Sequence, residues 1–220
     1  MTSPERFLLQ DLITSTGEST GELCTVAERI ADGAVFIYPT DTIYGIGGRF
    51  DRASVLDTII AAKERSPGQQ MILIAGSIDS FASLGIHFSD IAYELAKRFW
   101  PGLLTLVLPS TKYPAGIGIR VSGHPFIMAL NTLFSVPLFS TSANITGIPY
   151  NPDPDTIFTA VGSRVDFMID AGILPPSMPS TVVRIGEKED VTILREGCVP
   201  AAEIHRVVNS NPEYRRVRRI

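Results

Sequence analysis

Short apolar runs alternate with amphipathic stretches along most of the chain, and each kind predicts one type of element. Short apolar runs that end in proline, glycine or polar residues are typical of buried strands. Such runs occur at 34–38, 71–75, 103–108, 117–121, 137–140, 166–170, 181–185 and 191–194. Apolar residues spaced three and four apart predict helices between them. Helices are expected at 22–31, 52–64, just after Ser77, 89–99, 124–133, 154–161 and 201–208.

This alternation predicts an α/β fold with a largely buried sheet. The last strands lie close together in sequence, so part of the sheet is expected to be antiparallel and the whole sheet mixed. Threonine and glycine signals place the helix at 22–31 between Thr20 and Gly33. Asp51 is the predicted cap of the helix at 52–64.

The chain reads as one domain, because no repeat, low-complexity block or linker divides it. The domain is expected to span residues 19–208, after a loose leader at 1–18 and before a basic tail at 209–220. The last ten residues hold four arginines against one glutamate. A solvated tail is the favoured interpretation, and an electrostatic arm for RNA or another polyanion is the alternative.

Composition narrows the function classes. The chain has 220 residues, 45% hydrophobic and 19% charged, with a net charge of −4, which is typical of a globular domain and not of a dedicated nucleic-acid binder. No apolar run approaches the roughly 20 residues needed to span a bilayer, and no signal peptide is apparent, so a cytoplasmic location without membrane contact is expected. Cys24 and Cys198 form no framework, and the histidines lack the spacing of a zinc site.

The first candidate for chemistry is the pair Lys63 and Arg65, at the end of a predicted helix. Where a helix unwinds, two such cations could converge on one polyphosphate, the lysine as a point charge and the arginine as a bidentate fork. On these residues alone, a favourable charge at a helix C-terminus is the simpler interpretation.

Two further candidates follow predicted strands. Ser142 and Asn144 lie in a hydroxyl-rich segment after the strand at 137–140, where either a ligand loop or an ordinary turn is expected. Arg120 lies within or at the end of an apolar strand, and a buried arginine needs an anionic partner. Either a substrate carboxylate or a structural Asp or Glu would satisfy it.

The segment 36–50, FIYPTDTIYGIGGRF, combines a buried strand with hydroxyls and glycines that allow a ligand to approach the backbone closely. It matches neither a Walker A loop nor a dinucleotide fingerprint. No Ser-His-Asp or Cys-His set is apparent in the sequence, so nothing points to a covalent mechanism.

Several short motifs occur in an order that resembles the YrdC-like family, the threonylcarbamoyl-adenylate synthases. The resemblance covers roughly residues 20–208, and its strength lies in the joint order of the motifs. They are PTDTIYG at 39–45, KER at 63–65, ILIA at 72–75, WPG at 100–102, IRV at 119–121, STSAN at 140–144, STVV at 180–183 and REG at 195–197.

The resemblance implies a twisted open mixed sheet with flanking helices and a large concave groove. It implies that L-threonine, bicarbonate or carbon dioxide, and ATP, with Mg²⁺, form threonylcarbamoyl-AMP and pyrophosphate. The product serves the threonylcarbamoyl transferase complex that modifies tRNA, and tRNA itself is a candidate partner. The implied catalytic tetrad around the ATP phosphates is Lys63, Arg65, Ser142 and Asn144. Arg195 is expected on the ATP side, and Thr40, Arg120 and Ser180 at the threonine, with Arg120 on its carboxylate. The glycines of 36–50 then leave room for the small substrate.

The sequence departs from the family pattern at framework positions and keeps the tetrad, which YciO-like relatives lack in part. The departures are Ser66, Gln70, Leu103 and Ser122. Two alternatives stay open. One is a non-catalytic module of the same fold that binds RNA, and the other is an enzyme that forms a carbamoyl-adenylate.

Overall fold

In a computed structural model, residues 5–65 and 71–210 are described, together with the backbone of 218–219. The departures at Ser66 and Gln70, and most of the basic tail, lie outside these ranges. Within the described ranges, none of the helices has the length and apolar character needed to cross a membrane.

The described strands form one mixed sheet in the order β1-β8-β2-β3-β7-β4-β6-β5-β9-β10-β11. The strands are β1 (Glu5–Leu8), β2 (Phe36–Tyr38), β3 (Gly45–Arg49), β4 (Ile72–Ala75), β5 (Leu104–Leu108), β6 (Ile117–Val121), β7 (Leu138–Ser142), β8 (Phe167–Asp170), β9 (Thr181–Ile185), β10 (Val191–Arg195) and β11 (Arg218–Arg219). The helices are α1 (Leu9–Leu12), α2 (Gly21–Asp32), α3 (Ala53–Ala62), α4 (Asp90–Phe99), α5 (Pro125–Leu133), α6 (Pro154–Val161) and α7 (Ala201–Asn209). A 3₁₀ segment covers Ile78–Leu84 and another Gly162–Arg164.

Helices cover both faces of the sheet, so its central strands are buried. In β2, Phe36 and Tyr38 pack with α2 and α5 on one face, while Ile37 packs with α3 and α6 on the other. Helices α4 and α7 bury the strands toward the β9 end of the sheet. The predicted α/β class with a mixed sheet is confirmed, and each predicted strand and helix is present within a few residues of its expected bounds.

The ends of α2 were predicted correctly. The Thr20 side chain accepts a hydrogen bond from the Leu23 amide at 3.4 Å, and Gly33 ends the helix in the left-handed region at φ 106°. The predicted cap of α3 is wrong. Asp51 instead pairs with Arg49, with 2.6 Å between Arg49 Nε and Asp51 Oδ1, and Arg52 precedes the helix without a side-chain cap.

The expectation of a loose leader at 1–18 is wrong for the part that the structure describes. Residues 5–8 pair in parallel with β8 at one end of the sheet. Leu12 is fully buried, and the Thr20 hydroxyl hydrogen-bonds its carbonyl at 3.0 Å. The apolar residues of this segment lie in two very short elements, too short to show a strand or helix period, so the pattern did not reveal that they complete the core beside α2.

Strand β3 was not predicted, because glycine has a low strand propensity and three glycines follow each other closely there. The strand pairs with β2 on one side and β7 on the other. A Cβ at Gly47 would lie 2.0 Å from the Phe139 carbonyl oxygen, and one at Gly48 would lie 2.6 Å from that of Ala34. These two glycines therefore allow close packing of the sheet, and of the three only Gly45 lines the cleft described next.

Candidate functional site

A cleft opens where the loop between β2 and β3 meets β6, the end of β7 and the segments around β9 and β10. Most of the site residues expected from the sequence meet in it. The cleft is lined by Thr40, Arg65, Arg120, Ser142, Ser180 and Arg195. Lys63 and Asn144 lie directly behind Ser142, as the contacts below show.

Lys63 does not project freely from a helix end. Helix α3 ends at Ala62, and the chain turns sharply at Glu64, which has a φ of 52°. Lys63 is only 3% exposed, and its ammonium group donates to the carbonyl oxygens of Ser142 and Asn144 and to Asn144 Oδ1. The last two distances are 2.6 and 3.2 Å. Lys63 therefore fastens α3 to the segment that follows β7.

The Ser142 and Asn144 side chains are joined to each other. Ser142 Oγ donates to Asn144 Oδ1 at 2.5 Å, and Asn144 Nδ2 donates to the Ile148 carbonyl at 2.5 Å. Arg65 reaches the preceding residue, with 3.4 Å from its Nη1 to Thr141 Oγ1. Strand β7 extends to Ser142, beyond the predicted end at 140, so these hydroxyls lie on a rigid strand and not in a turn. The predicted tetrad forms one contiguous group, although its role stays a prediction.

Arg120 lies on β6 and is 3% exposed. Its Nη2 contacts Asp41 Oδ1, and its Nη1 donates to Thr42 Oγ1 at 3.1 Å. Its Nε has no hydrogen-bond partner among the described residues. Of the two partners left open by the sequence, a structural aspartate is thus present, and the guanidinium, with five N–H groups, keeps donors beyond these two contacts.

Thr40 serves the loop that carries it. Its hydroxyl donates to the Ile43 carbonyl at 2.7 Å and accepts from the Thr42 and Ile43 amides, each at 3.2 Å. The hydroxyl that reaches Arg120 belongs to Thr42. A contact between Thr40 and threonine stays a prediction. Asp41 and Thr42 were not among the expected site residues, although their position in the PTDT motif, directly after a buried strand, could have identified them.

Ser180 and Arg195 contact each other across the start of β9 and the end of β10. Arg195 Nη2 lies 2.8 Å from the Ser180 carbonyl oxygen and 3.5 Å from its hydroxyl. The Ser180 hydroxyl also lies 2.8 Å from Thr105 Oγ1 on β5. The residues expected on the ATP side and on the threonine side therefore meet at this point.

The electrostatics of the cleft are dominated by cations. No Asp or Glu is among the residues that line it in the described part of the chain. Burial, and to a smaller extent the neighbouring Arg65 charge, lower the pKa of Lys63 to about 8. Burial also lowers the pKa of Arg65 and of Arg195. An anion bound in the cleft would therefore stabilise these positive charges, as water does for cations at the surface.

The donor set does not fit a magnesium site made by the protein. Among the described residues, no three His, Cys, Asp or Glu side chains group together to hold a metal ion. Asp41, beside the cleft, is already paired with Arg120.

The pKa of Lys63 gives a testable titration. Because the native pKa is about 8 and the ordinary value is 10.5, the unfolded chain binds more protons between these two pH values. This lysine's contribution to the free energy of unfolding should therefore rise with pH through that window and stay constant below it. NMR of ¹³C-lysine-labelled protein, with the Lys63 signal assigned by its loss in Lys63→Arg, should give a midpoint near pH 8. A midpoint at the ordinary value or above it would contradict the effect of burial.

Comparisons with known proteins identify the same architecture. A family model for the Sua5, YciO and YrdC proteins, described as "Telomere recombination", matches residues 28–197. The threonylcarbamoyl-AMP synthase of Pyrococcus abyssi is 30% identical over 187 residues, which are 81% of the chain and 55% of that protein. That of Pseudoalteromonas atlantica is 31% identical over 163 residues, which are 68% of the chain and 85% of the relative.

Solved structures agree with these matches. Sua5 of P. abyssi complexed with L-threonine superposes with a TM-score of 0.80 and 26% identity over 97% of the chain and 62% of that protein. YciO of Escherichia coli superposes with a TM-score of 0.75 over 91% of the chain and 98% of YciO. At 23% identity, this second likeness supports the fold alone. The chain thus spans little more than half of the P. abyssi protein and nearly the whole length of YciO.

Proposed function

Because the chain belongs to the Sua5/YciO/YrdC family, we propose that it is an L-threonylcarbamoyladenylate synthase. It takes L-threonine, bicarbonate or carbon dioxide, and ATP, and it makes threonylcarbamoyl-AMP and pyrophosphate. The product carries the threonylcarbamoyl group to N6 of an adenosine in tRNA, through the threonylcarbamoyl transferase complex. The family membership and the threonine-bound relative support the substrate class.

One observation carries the proposal. One cleft joins two groups: Arg65 and Ser142, with Lys63 and Asn144 directly behind Ser142, and Arg120 on strand β6. The first group offers positive charge and directed hydrogen bonds to a polyphosphate, and Arg120 offers a donor to a carboxylate. A nucleotide and an amino acid can then lie beside each other in one cavity.

The proposed reaction needs no protein nucleophile. It depends on the residues that hold the substrates in position. The unprotonated threonine amine attacks carbon dioxide, and the resulting carbamate carries the negative charge on oxygen. A carbamate oxygen then attacks the α-phosphorus of ATP, and a P–O bond forms while the bond to the leaving pyrophosphate breaks. Arg65 and Lys63 stabilise the charge that develops on the phosphates, and Ser142 and Asn144 direct them. Mg²⁺, bound with ATP, supplies further charge neutralisation.

The direct test is pyrophosphate release from ATP in the presence of bicarbonate, with and without L-threonine. We expect release only when threonine is present, together with formation of threonylcarbamoyl-AMP detected by mass spectrometry. Folded protein that releases no pyrophosphate in response to threonine would refute the proposal. Salt-sensitive tRNA binding without ATP turnover would instead favour the RNA-binding alternative.

A further inference from the structure

We propose that Asp41 is a positioning residue that fixes Arg120 and balances its charge, so that this end of the cleft takes a zwitterionic amino acid and not a polyphosphate. The inference rests on the proposed function for the identity of the amino acid. It concerns a residue that contacts Arg120 and not the reacting atoms.

Asp41 is held on three sides by the structure around it. Its Oδ1 contacts Arg120 Nη2 and accepts from Ser122 Oγ at 3.1 Å, while its Oδ2 accepts from the Gly123 amide at 3.3 Å. These contacts join the loop between β2 and β3 to the residues that follow β6. Ser122, where the family commonly has proline, is fully buried and is part of this arrangement. The carboxylate therefore has a defined position and cannot easily follow a displaced guanidinium.

The contacts with Thr42 and Asp41 do not use all the donors of Arg120. Each contact involves one terminal nitrogen, and each terminal nitrogen of a guanidinium carries a second N–H. The Nε–H is buried and has no partner among the described residues, so a guanidinium without a further acceptor is costly here. Because Arg120 lines the cleft, a carboxylate in the cavity would accept from the remaining terminal N–H groups.

The charges differ between the two ends of the cleft. Arg120 and Asp41 together are neutral, and burial lowers the pKa of the adjacent His124 to about 4, so that this histidine adds no charge at neutral pH. Arg195 is a further cation near this pair, since burial and the charge of Arg120 both lower its pKa. At the other end, Lys63 and Arg65 lie beside a strand end that carries hydroxyls. A neutral pair tolerates an amino acid that carries both charges, whereas polyphosphate is drawn to the cationic end.

The test compares Asp41→Asn with the wild-type chain by calorimetric titration of L-threonine in the absence of ATP. We expect Asp41→Asn to bind threonine about tenfold more weakly, because a charge-assisted hydrogen bond to Arg120 is lost. Inorganic pyrophosphate, added as a competitor, should leave the wild-type affinity for threonine within about twofold and should weaken threonine binding to Asp41→Asn several-fold, because Arg120 then carries an unbalanced charge.

Asp51→Asn is the matched control, because it removes the carboxylate of an Asp–Arg pair that does not line the cleft. It should change neither measurement. If Asp41→Asn does not fold, Ser122→Ala replaces it, with an expected weakening of threonine binding of about threefold, because Asp41 loses one hydrogen bond but keeps its contacts with Arg120 and Gly123.

Two results would overturn the inference while leaving the proposed function intact. One is an Asp41→Asn variant that binds threonine within about twofold of the wild type, which is less than the loss expected for one charged contact. The other is pyrophosphate that does not weaken threonine binding to Asp41→Asn. A wild-type chain that binds no threonine would overturn the proposed function as well. A merely structural role for Asp41 would lower the melting temperature without creating competition by pyrophosphate.

Discussion

Lys63→Ala is expected to lower threonine-dependent pyrophosphate release by about a hundredfold or more, the loss typical when a preorganised charge or donor is removed from an active site. The ammonium group holds Ser142 and Asn144 by two carbonyl oxygens and one amide oxygen. Without it, these hydrogen-bond acceptors lose their common donor, and the polar group proposed to face the nucleotide loses both charge and order. The rate is measured as pyrophosphate released at saturating ATP and threonine.

The same change should also destabilise the fold. The Lys63 side chain is buried, although it follows directly on the end of helix α3. Leaving buried acceptors unsatisfied costs about 1–3 kcal/mol for each. Lys112→Ala is the control, because Lys112 also donates to a carbonyl oxygen, that of Ser83 at 2.7 Å, on the exposed surface. Equal activity in the two variants would contradict the role of Lys63.

Gly47→Ala is expected to destabilise the chain by about 3 kcal/mol, at the upper end of what inserting a methyl group into a packed interior costs. The new Cβ would lie 2.0 Å from the Phe139 carbonyl oxygen and 3.0 Å from the Tyr38 ring. The backbone cannot move aside easily, because β3 is bonded to a neighbouring strand on each side. Chemical denaturation monitored by circular dichroism gives the free energy of unfolding.

Gly21→Ala supplies the matched control for this substitution. Gly21 is the first residue of α2, and a Cβ there meets nothing within 4 Å. Alanine should leave stability unchanged or raise it by less than about 1 kcal/mol. If Gly47→Ala were as stable as Gly21→Ala, the close approach of β3 to β7 would be wrong.

The strong periodic signals were enough to predict most of the fold. Helix α2 and strand β6 were found at nearly their observed bounds, because each has a clear apolar pattern and defined ends. Strand β3 was missed because it is rich in glycine, which has a low strand propensity. Strand β1 was missed because its pairing with β8 connects residues far apart in sequence.

Most of the residues expected from the sequence lie together in the candidate site, but their contacts with one another were not predicted. The order of short motifs identified Arg120 and the tetrad, and the cleft brings most of them together. Lys63 hydrogen-bonds the last residue of β7 and a residue after it because the chain turns sharply at Glu64. No local sequence pattern indicates this turn. Whether Arg120 had an internal partner depended on where the loop after β2 would fold, and the sequence left both answers open.

The arrangement of the cleft also bears on how the protein is made. Its walls include Thr40, which precedes β3, and Arg195, which ends β10, and Ser180 is fixed by contact with Arg195. A growing chain released from the ribosome up to β8 would contain the tetrad but would lack one wall of the cleft. Binding of the two proposed substrates therefore requires that β9 and β10 have joined the sheet, and folding of these strands onto β5 involves distant pairings that form slowly. A complete cleft thus forms only after β10 has been synthesised and paired.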